Sequence, residues 1–258
     1  MPPPWPVGRE DPDPAAASGE PEEPLPALAA PRGIVFDLDG TLIDSRRDIT
    51  TAINVMRAER RLPPLAEAEV RTLVGEGARV LVRRALPPGT AKEDLKEALA
   101  SYLARYEEVC LDTTRPYPGV PPMLAGVAQG FSLAVLSNKG EALSRRILHG
   151  LGLDRYLREV VGGDTLPTRK PNPGGLFLLA DRMGVPAGQL LLVGDSPIDA
   201  ATARAAGCAF ALAVWGEGAE ELEASEAEPA RAAWRLARPA DLLRHLGLAE
   251  DGDDAEDA

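Results

Sequence analysis

The run Phe36-Asp37-Leu38-Asp39-Gly40-Thr41-Leu42 ends the first apolar stretch of the chain with two carboxylates and a glycine turn. Residues two apart on an extended chain point to the same side, so Asp37 and Asp39 repel each other unless a cation or a shared proton lies between them. Packing gains nothing from that arrangement. It obliges the strand that carries it to open onto a polar site. Taken alone, the pair is also compatible with two solvated aspartates in a turn.

Three further polar stations follow, two of them directly at the end of an apolar run. Leu133-Ala134-Val135-Leu136 leads into Ser137-Asn138-Lys139, and Leu190-Leu191-Leu192-Val193 into Gly194-Asp195-Ser196-Pro197-Ile198-Asp199. Between them, Thr168-Arg169-Lys170-Pro171-Asn172-Pro173 holds a lysine in a loop stiffened by two prolines. In a parallel sheet flanked by helices the carboxyl ends of the strands share one crevice, so all four stations are expected to meet there. Singly they have plainer uses: Ser137-Asn138 as a turn, Lys170 as an exposed lysine, Asp195 and Asp199 as caps of a helix N-terminus.

The pattern around these stations predicts an α/β fold with a doubly wound parallel sheet. Gly33–Phe36, Phe131–Leu136, Glu159–Val161, Leu190–Val193 and Cys208–Val214 read as strands, with a late strand near Ala232–Leu236. Helical segments fall around Met123, at Leu143–Leu148, Leu176–Met183 and Ala200–Ala205, and in a final Ala240–Leu248. Between residues 45 and 115 the period is helical, through Ile49, Ile53 and Met56, then Val70, Leu73 and Val74, then Leu95, Leu99, Leu103 and Tyr106. That stretch shows no strand and reads as a small helical unit inserted after the first strand. The expected organisation is a tail at 1–30, a core of 31–44 with 116–248, the helical unit 45–115, and a second tail at 249–258.

The formal charge of −12 belongs to the tails. Residues 1–30 hold six acids, one arginine and nine prolines, and residues 249–258 six acids and no base, which leaves the body near −1. Such tails are expected to be disordered, and a near-neutral body offers no basic stripe for nucleic acid. No apolar run is long enough for a membrane span, and the N-terminus lacks the basic start and apolar centre of a signal peptide; a cytoplasmic protein is expected. Cys110 and Cys208 have no metal-ligand spacing and read as small buried apolar groups. His149 and His245 are the only histidines, too few for a histidine metal site, and His149 reads as a residue near a helix C-terminus.

The ordered set Asp37 to Thr41, Ser137, Lys170 and Gly194 to Asp199 resembles the haloacid dehalogenase-like superfamily of phosphohydrolases, within it the phosphoglycolate phosphatase-like branch, over most of the chain. The resemblance implies a Rossmann-like core with a helical cap, and Mg²⁺-dependent hydrolysis of a small phosphorylated metabolite, 2-phosphoglycolate first among them. Asp37 would be the nucleophile and Asp39 the acid–base, its backbone carbonyl also reaching the metal. Asp195 would be the principal downstream metal ligand, with Asp199 one helical turn on, placed to bind the metal or orient the groups that do. Thr41, Ser137, Asn138 and Lys170 would hold the phosphoryl group, with Lys170 balancing charge at the nucleophile as well. Asp44-Ser45 extends the first motif and also suits a helix N-cap.

Gly75-Glu76-Gly77 would be the cap loop that meets the leaving group, and Glu76 stands where better-known phosphoglycolate phosphatases often carry Asn. Arg79, Arg83 and Arg84 are either solvated or contacts for a substrate carboxylate. The second aspartate of the first motif speaks against a dehalogenase, which has no alkoxide to protonate. A phosphosugar mutase, a pyrophosphatase and a non-catalytic phospholigand-binding protein remain as alternatives, and the oligomeric state is not legible.

Overall fold

The computed structural model describes residues 31–216, 218–224 and 233–248. The two expected tails lie outside these residues, as does the start of the expected strand at Ala232. Six parallel strands form the main sheet: β1 (Gly33–Phe36), β4 (Ser132–Leu136), β5 (Glu159–Val161), β6 (Leu190–Gly194), β7 (Ala209–Ala213) and β8 (Trp234–Leu236). Their lateral order is β5-β4-β1-β6-β7-β8. The chain runs outward from β1 to β5, then returns to the other side of β1, so the order reverses at β1. A crevice opens at such a switch point, beyond the carboxyl ends of the strands.

Both faces of the sheet are covered, which explains why its strands read as unbroken apolar runs. Ile34 and Phe36 face one hydrophobic cluster together with Leu133, Val135, Leu191 and Val193. Val35 faces the other with Ala134, Leu136 and Leu192. On the first side pack α5 (Val120–Val127), α6 (Glu141–Gly150) and α10 (Ala240–His245). On the second pack α7 (Gly174–Met183) and α8 (Pro197–Ala206). The short α9 (Ala219–Ala224) lies between β7 and β8 in sequence.

The region 45–115 folds as α1 (Arg46–Ala58), α2 (Glu67–Arg71), α3 (Ala78–Arg84) and α4 (Lys92–Val109). Its apolar residues Ile49, Ile53, Met56, Tyr102 and Tyr106 join the first cluster of the sheet. The second expected period was shorter in space than in sequence: α2 ends at Arg71, so Leu73 and Val74 fall in the turn leading to Gly75. Two elements escape the periodicity altogether. β2 (Ile43–Asp44) and β3 (Arg115–Pro116) pair antiparallel where the chain leaves and re-enters the sheet region. Two residues are too few to show an alternation, so this pair is visible only once the crossings are brought together.

Of the two cysteines, Cys110 is buried as expected, whereas Cys208 is only partly buried; its environment still pushes the thiol up to about 12 by desolvation. His149 lies in the last turn of α6, its Nδ1 2.7 Å from Asp154. No described helix is long and apolar enough to cross a membrane.

The junction is clamped by Asp48, in the first turn of α1. The backbone and hydroxyl groups of Thr113 and Thr114, next to β3, all donate to its carboxylate, at 2.6–3.1 Å. Burial alone raises the Asp48 pKa, but these donors outweigh it and hold the carboxyl below its ordinary value. A carboxylate with a depressed folded pKa stabilises the fold above its unfolded pKa and loses that contribution as pH falls through the folded value. Asp48→Ala, which strands four donors, is therefore expected to cost about 3 kcal/mol near neutral pH. In urea unfolding the gap to the parent should shrink as pH falls below about 4.

Candidate active site

The loop after β1 is shaped by its own hydrogen bonds. Leu38 points into the core, and its carbonyl accepts from the amides of Leu42 and Ile43 at 2.9 and 3.0 Å, which turns the flanking Asp37 and Asp39 away from the apolar layer. Gly40 has φ +84°, and a Cβ there would lie 2.4 Å from Asp195 Oδ2. Glycine is thus required twice over, for the left-handed turn and for the close approach of the β6 loop.

All four sequence stations come together. Lys170, in the loop before α7, places its ammonium 2.7 Å from Asp37 Oδ1 and 2.6 Å from Asp199 Oδ1. Asp199 is fully buried, and its other oxygen accepts from the Ser196 hydroxyl at 2.6 Å and the Ser196 amide at 3.2 Å. Asp195 accepts from Thr41 Oγ1 at 2.9 Å and from the Gly218 amide at 2.9 Å. Carboxylate oxygens of Asp37, Asp195 and Asp199 lie within 4.8 Å of one another. Ser137 and Asn138 border the same open cleft of ≈ 1210 Å³.

Such crowding shows in the ionisation of these groups. Burial pushes Asp37 up to about 8; Lys170 opposes this, while Asp199 and Asp195 add to it. Burial, then Asp199, pushes Asp195 up to about 6 against the Gly218 and Thr41 hydrogen bonds. Burial disfavours the Lys170 ammonium, but Asp199 and Asp37 outweigh it and hold its pKa above the ordinary lysine value. The three carboxylates thus form an oxygen-rich cluster short of positive charge, the donor set a hard divalent cation takes.

Thr41 departs from the expectation, and the partners of Asp39, Asp199 and Ser45 come from the structure alone. Thr41 is fully buried and gives its hydroxyl to Asp195, so it orients a carboxylate and does not face the cleft. The Asp39 side chain lies outside the three-carboxylate cluster and turns to Ser45 and Lys139, at 2.5 and 2.7 Å from Oδ1. Asp199 has both oxygens engaged, one by Lys170 and one by Ser196, which suits it to orient that lysine. Ser45 occupies the N-cap position of α1 but its hydroxyl goes to Asp39 instead of capping the helix.

The loop Gly75-Glu76-Gly77 reaches the core at two points. Asn138 Nδ2 donates to the Gly75 carbonyl at 2.9 Å and to the Lys170 carbonyl at 3.1 Å, and Arg169 donates to the Glu76 carbonyl at 3.4 Å. Gly77 has φ +87°, and a side chain there would press on Arg169 and the Asn138 carbonyl. The Glu76 carboxylate pairs with Arg84 at 2.5 Å, and Arg79 is exposed at the cleft. Lys139 and Tyr106 were not singled out as site residues. Lys139 follows Ser137-Asn138 directly, and that adjacency was its only signal; Tyr106 fits an apolar helical period that hides its hydroxyl.

The family model of the haloacid dehalogenase-like hydrolases matches residues 34–213. The chain belongs to that family. Among curated relatives, it is 44% identical over 198 residues to phosphoglycolate phosphatase of Rhodospirillum rubrum, a match covering 74% of this chain and 82% of that protein. It is 40% identical to phosphoglycolate phosphatase 1 of Pseudomonas aeruginosa, over 75% of this chain and 73% of that protein. Among solved structures, a predicted phosphoglycolate phosphatase from Haemophilus somnus superposes with a TM-score of 0.77 at 31% identity, covering 85% of this chain and 99% of that one.

The buried Lys170 neutralises two carboxylates that otherwise face each other. Lys170→Met is expected to lower stability by about 3 kcal/mol, the cost of leaving a buried charge pair broken. Adding Asp199→Asn should recover at least ~1 kcal/mol of that loss, because one of the stranded charges is then gone. Urea unfolding of both variants in a chelator checks this.

Proposed function

We propose that this hydrolase is a phosphatase that cleaves a small phosphomonoester through an aspartyl-phosphate on Asp37, with 2-phosphoglycolate as its substrate. The observation that carries the reading is the convergence of Asp37, Lys170, Ser137 and Asp195 at one switch point of the sheet, with Asp39 two residues from the nucleophile. The names of the relatives at 40–44% identity support the choice of substrate.

Chemistry assigns each side chain a task. Asp37 attacks phosphorus, forming an acyl phosphate and expelling the alkoxide, so that one hard displacement becomes two easier ones. Asp39 gives the departing oxygen its proton and then takes one from the water that cleaves the acyl phosphate. Lys170 offsets negative charge shared between Asp37 and the transferring group, and Ser137 donates to a phosphoryl oxygen, with the Asn138 amide beside it. The donor chemistry of Asp37, Asp195 and Asp199 fits Mg²⁺, which the Asp37 and Asp195 carboxylates and the Asp39 carbonyl would hold, with Asp199 beside them. When bound, the ion offsets the charge that keeps a carboxylate from approaching a phosphate dianion.

In this reading residues 45–115 act as the cap over a core of 31–44 and 116–248, and the enzyme works in the cytoplasm. Arg46, Arg71, Arg79, Arg84 and Arg169 line the cleft; the first, second and fourth pair with Asp44, Glu220 and Glu76, and the exposed Arg79 is the one this reading assigns to a substrate carboxylate beside the phosphate.

A phosphate-release screen with Mg²⁺ over 2-phosphoglycolate, hexose phosphates and pyrophosphate tests the substrate; a mutase returns no free phosphate, and ligand binding without turnover would mark a binding protein. Asp37→Asn should lose all but ~1% of turnover while melting like the parent, because the amide keeps the shape but not the nucleophile. Mg²⁺ should raise the melting temperature of the parent, and Asp195→Asn should abolish most of that rise, as linkage requires of a lost ligand.

A further inference from the structure

The carboxylate of Asp39 is held from two sides. The Ser45 hydroxyl and the Lys139 ammonium both donate to Oδ1, at 2.5 and 2.7 Å. Lys139 is nearly buried, its side chain 7% exposed. It has a second partner on the helical unit: the ammonium donates to the Tyr106 hydroxyl at 2.6 Å and lies 4.7 Å from the centre of the Tyr106 ring. Tyr106 is itself fixed, on α4, stacked on Tyr102 with ring centres 5.7 Å apart. Three separate parts of the chain therefore meet at one cation: the loop after β1, the loop after β4, and α4.

We propose that Lys139, anchored by Tyr106, is a positioning residue that sets the direction of the Asp39 carboxylate and links it to the helical unit; this rests on the reading of Asp39 as the acid–base. The physical case is one of geometry. A proton can pass to the leaving oxygen only from a carboxyl within hydrogen-bond reach, and an aspartate with no fixed partner spreads over several rotamers. A charge-assisted bond from a nearly buried ammonium selects among them. A lysine is long and loses much freedom when held; the Tyr106 hydroxyl supplies the second contact that fixes it. Charge balance at phosphorus belongs to Lys170, so Lys139 is free for this task.

Steady-state kinetics with Mg²⁺ on an alkyl ester, 2-phosphoglycolate, and an aryl ester, p-nitrophenyl phosphate, test the inference, because a good leaving group needs little protonation. Lys139→Met is expected to lower kcat/KM, which ends at loss of the leaving group, by about 10- to 100-fold on the alkyl ester, within the ~10²–10⁴-fold that general acid–base catalysis supplies. The aryl ester should lose several-fold less, with KM within about twofold on both. Tyr106→Phe should show the same pattern more weakly, and Lys139→Met combined with Asp39→Asn should be no slower than Asp39→Asn alone.

Equal losses on both esters, a KM raised on both, or losses that multiply in the double variant would overturn the role of Lys139. If Asp39→Asn lowers kcat/KM equally on both esters, the reading of Asp39 as the acid falls, and Lys139 with it; kcat/KM covers only the steps through loss of the leaving group, so the water step common to both esters does not enter. A leaving-group effect in Asp39→Asn but in neither Lys139→Met nor Tyr106→Phe removes only the positioning role. Melting temperatures accompany each variant. Should Lys139→Met fail to fold, Tyr106→Phe, which removes one oxygen, decides by its leaving-group pattern.

Discussion

A single buried ammonium makes the site possible. Asp37, Asp195 and Asp199, all buried, bring carboxylate oxygens within 4.8 Å of one another. Two like charges about 4 Å apart repel by roughly 4 kcal/mol at the effective dielectric of a protein. Lys170 lies between two of the three and offsets that repulsion directly. Its compact charge at the end of a flexible stem touches two carboxylates at 2.6–2.7 Å from a loop that contributes nothing else to the sheet. The helix that carries Asp199 begins with a capping exchange between Ser196 and Asp199, so the residue that fixes Lys170 is itself fixed by the start of α8.

That charge balance depends in turn on the order of the strands. β1 lies between β4 and β6 in register, Phe36 opposite Val135 on one side and Val193 on the other. The residues that follow each strand are then brought to the same level, which is how Asp37, Ser137 and Asp195 come to share a cleft. Because both faces of the sheet are apolar and covered, a slip of register would carry polar residues into a hydrophobic layer. The packing of the core therefore holds the site to its geometry without any core residue taking part in the chemistry.

Beside the apolar packing of Ile49, Ile53 and Met56 against the sheet's first cluster, polar contacts tie the helical unit to the core around the cleft, among them Asn138 to the Gly75 carbonyl, Arg169 to the Glu76 carbonyl, and Lys139 between Asp39 and Tyr106. Each joins a residue near the chemistry to one that borders the entrance. Polar latches of this kind hold a geometry while costing little to break, in contrast to the buried Asp48 clamp at the junction, where four donors close on one carboxylate.

The local pattern of the chain is enough to place most of the fold. Apolar runs bounded by glycine and polar turns mark the strands, a period of 3.6 marks α1 and α4, and the paired aspartates beside Gly40 mark the site, because each of these signals lies within a few consecutive residues. Ile43–Asp44 with Arg115–Pro116 was not legible, since its stability comes from pairing residues 71 and 73 positions apart in the chain. Nor was the use of Thr41, which on sequence belongs to the substrate and in space serves Asp195, 154 positions away. Lys139 lies 100 positions from Asp39 and 33 from Tyr106. The sequence by itself determines which groups are available and on which elements they are carried. Which carboxylate each cation serves was decided by the tertiary structure alone, because electrostatic pairing depends on distances that only the sheet order and the docking of the helical unit fix.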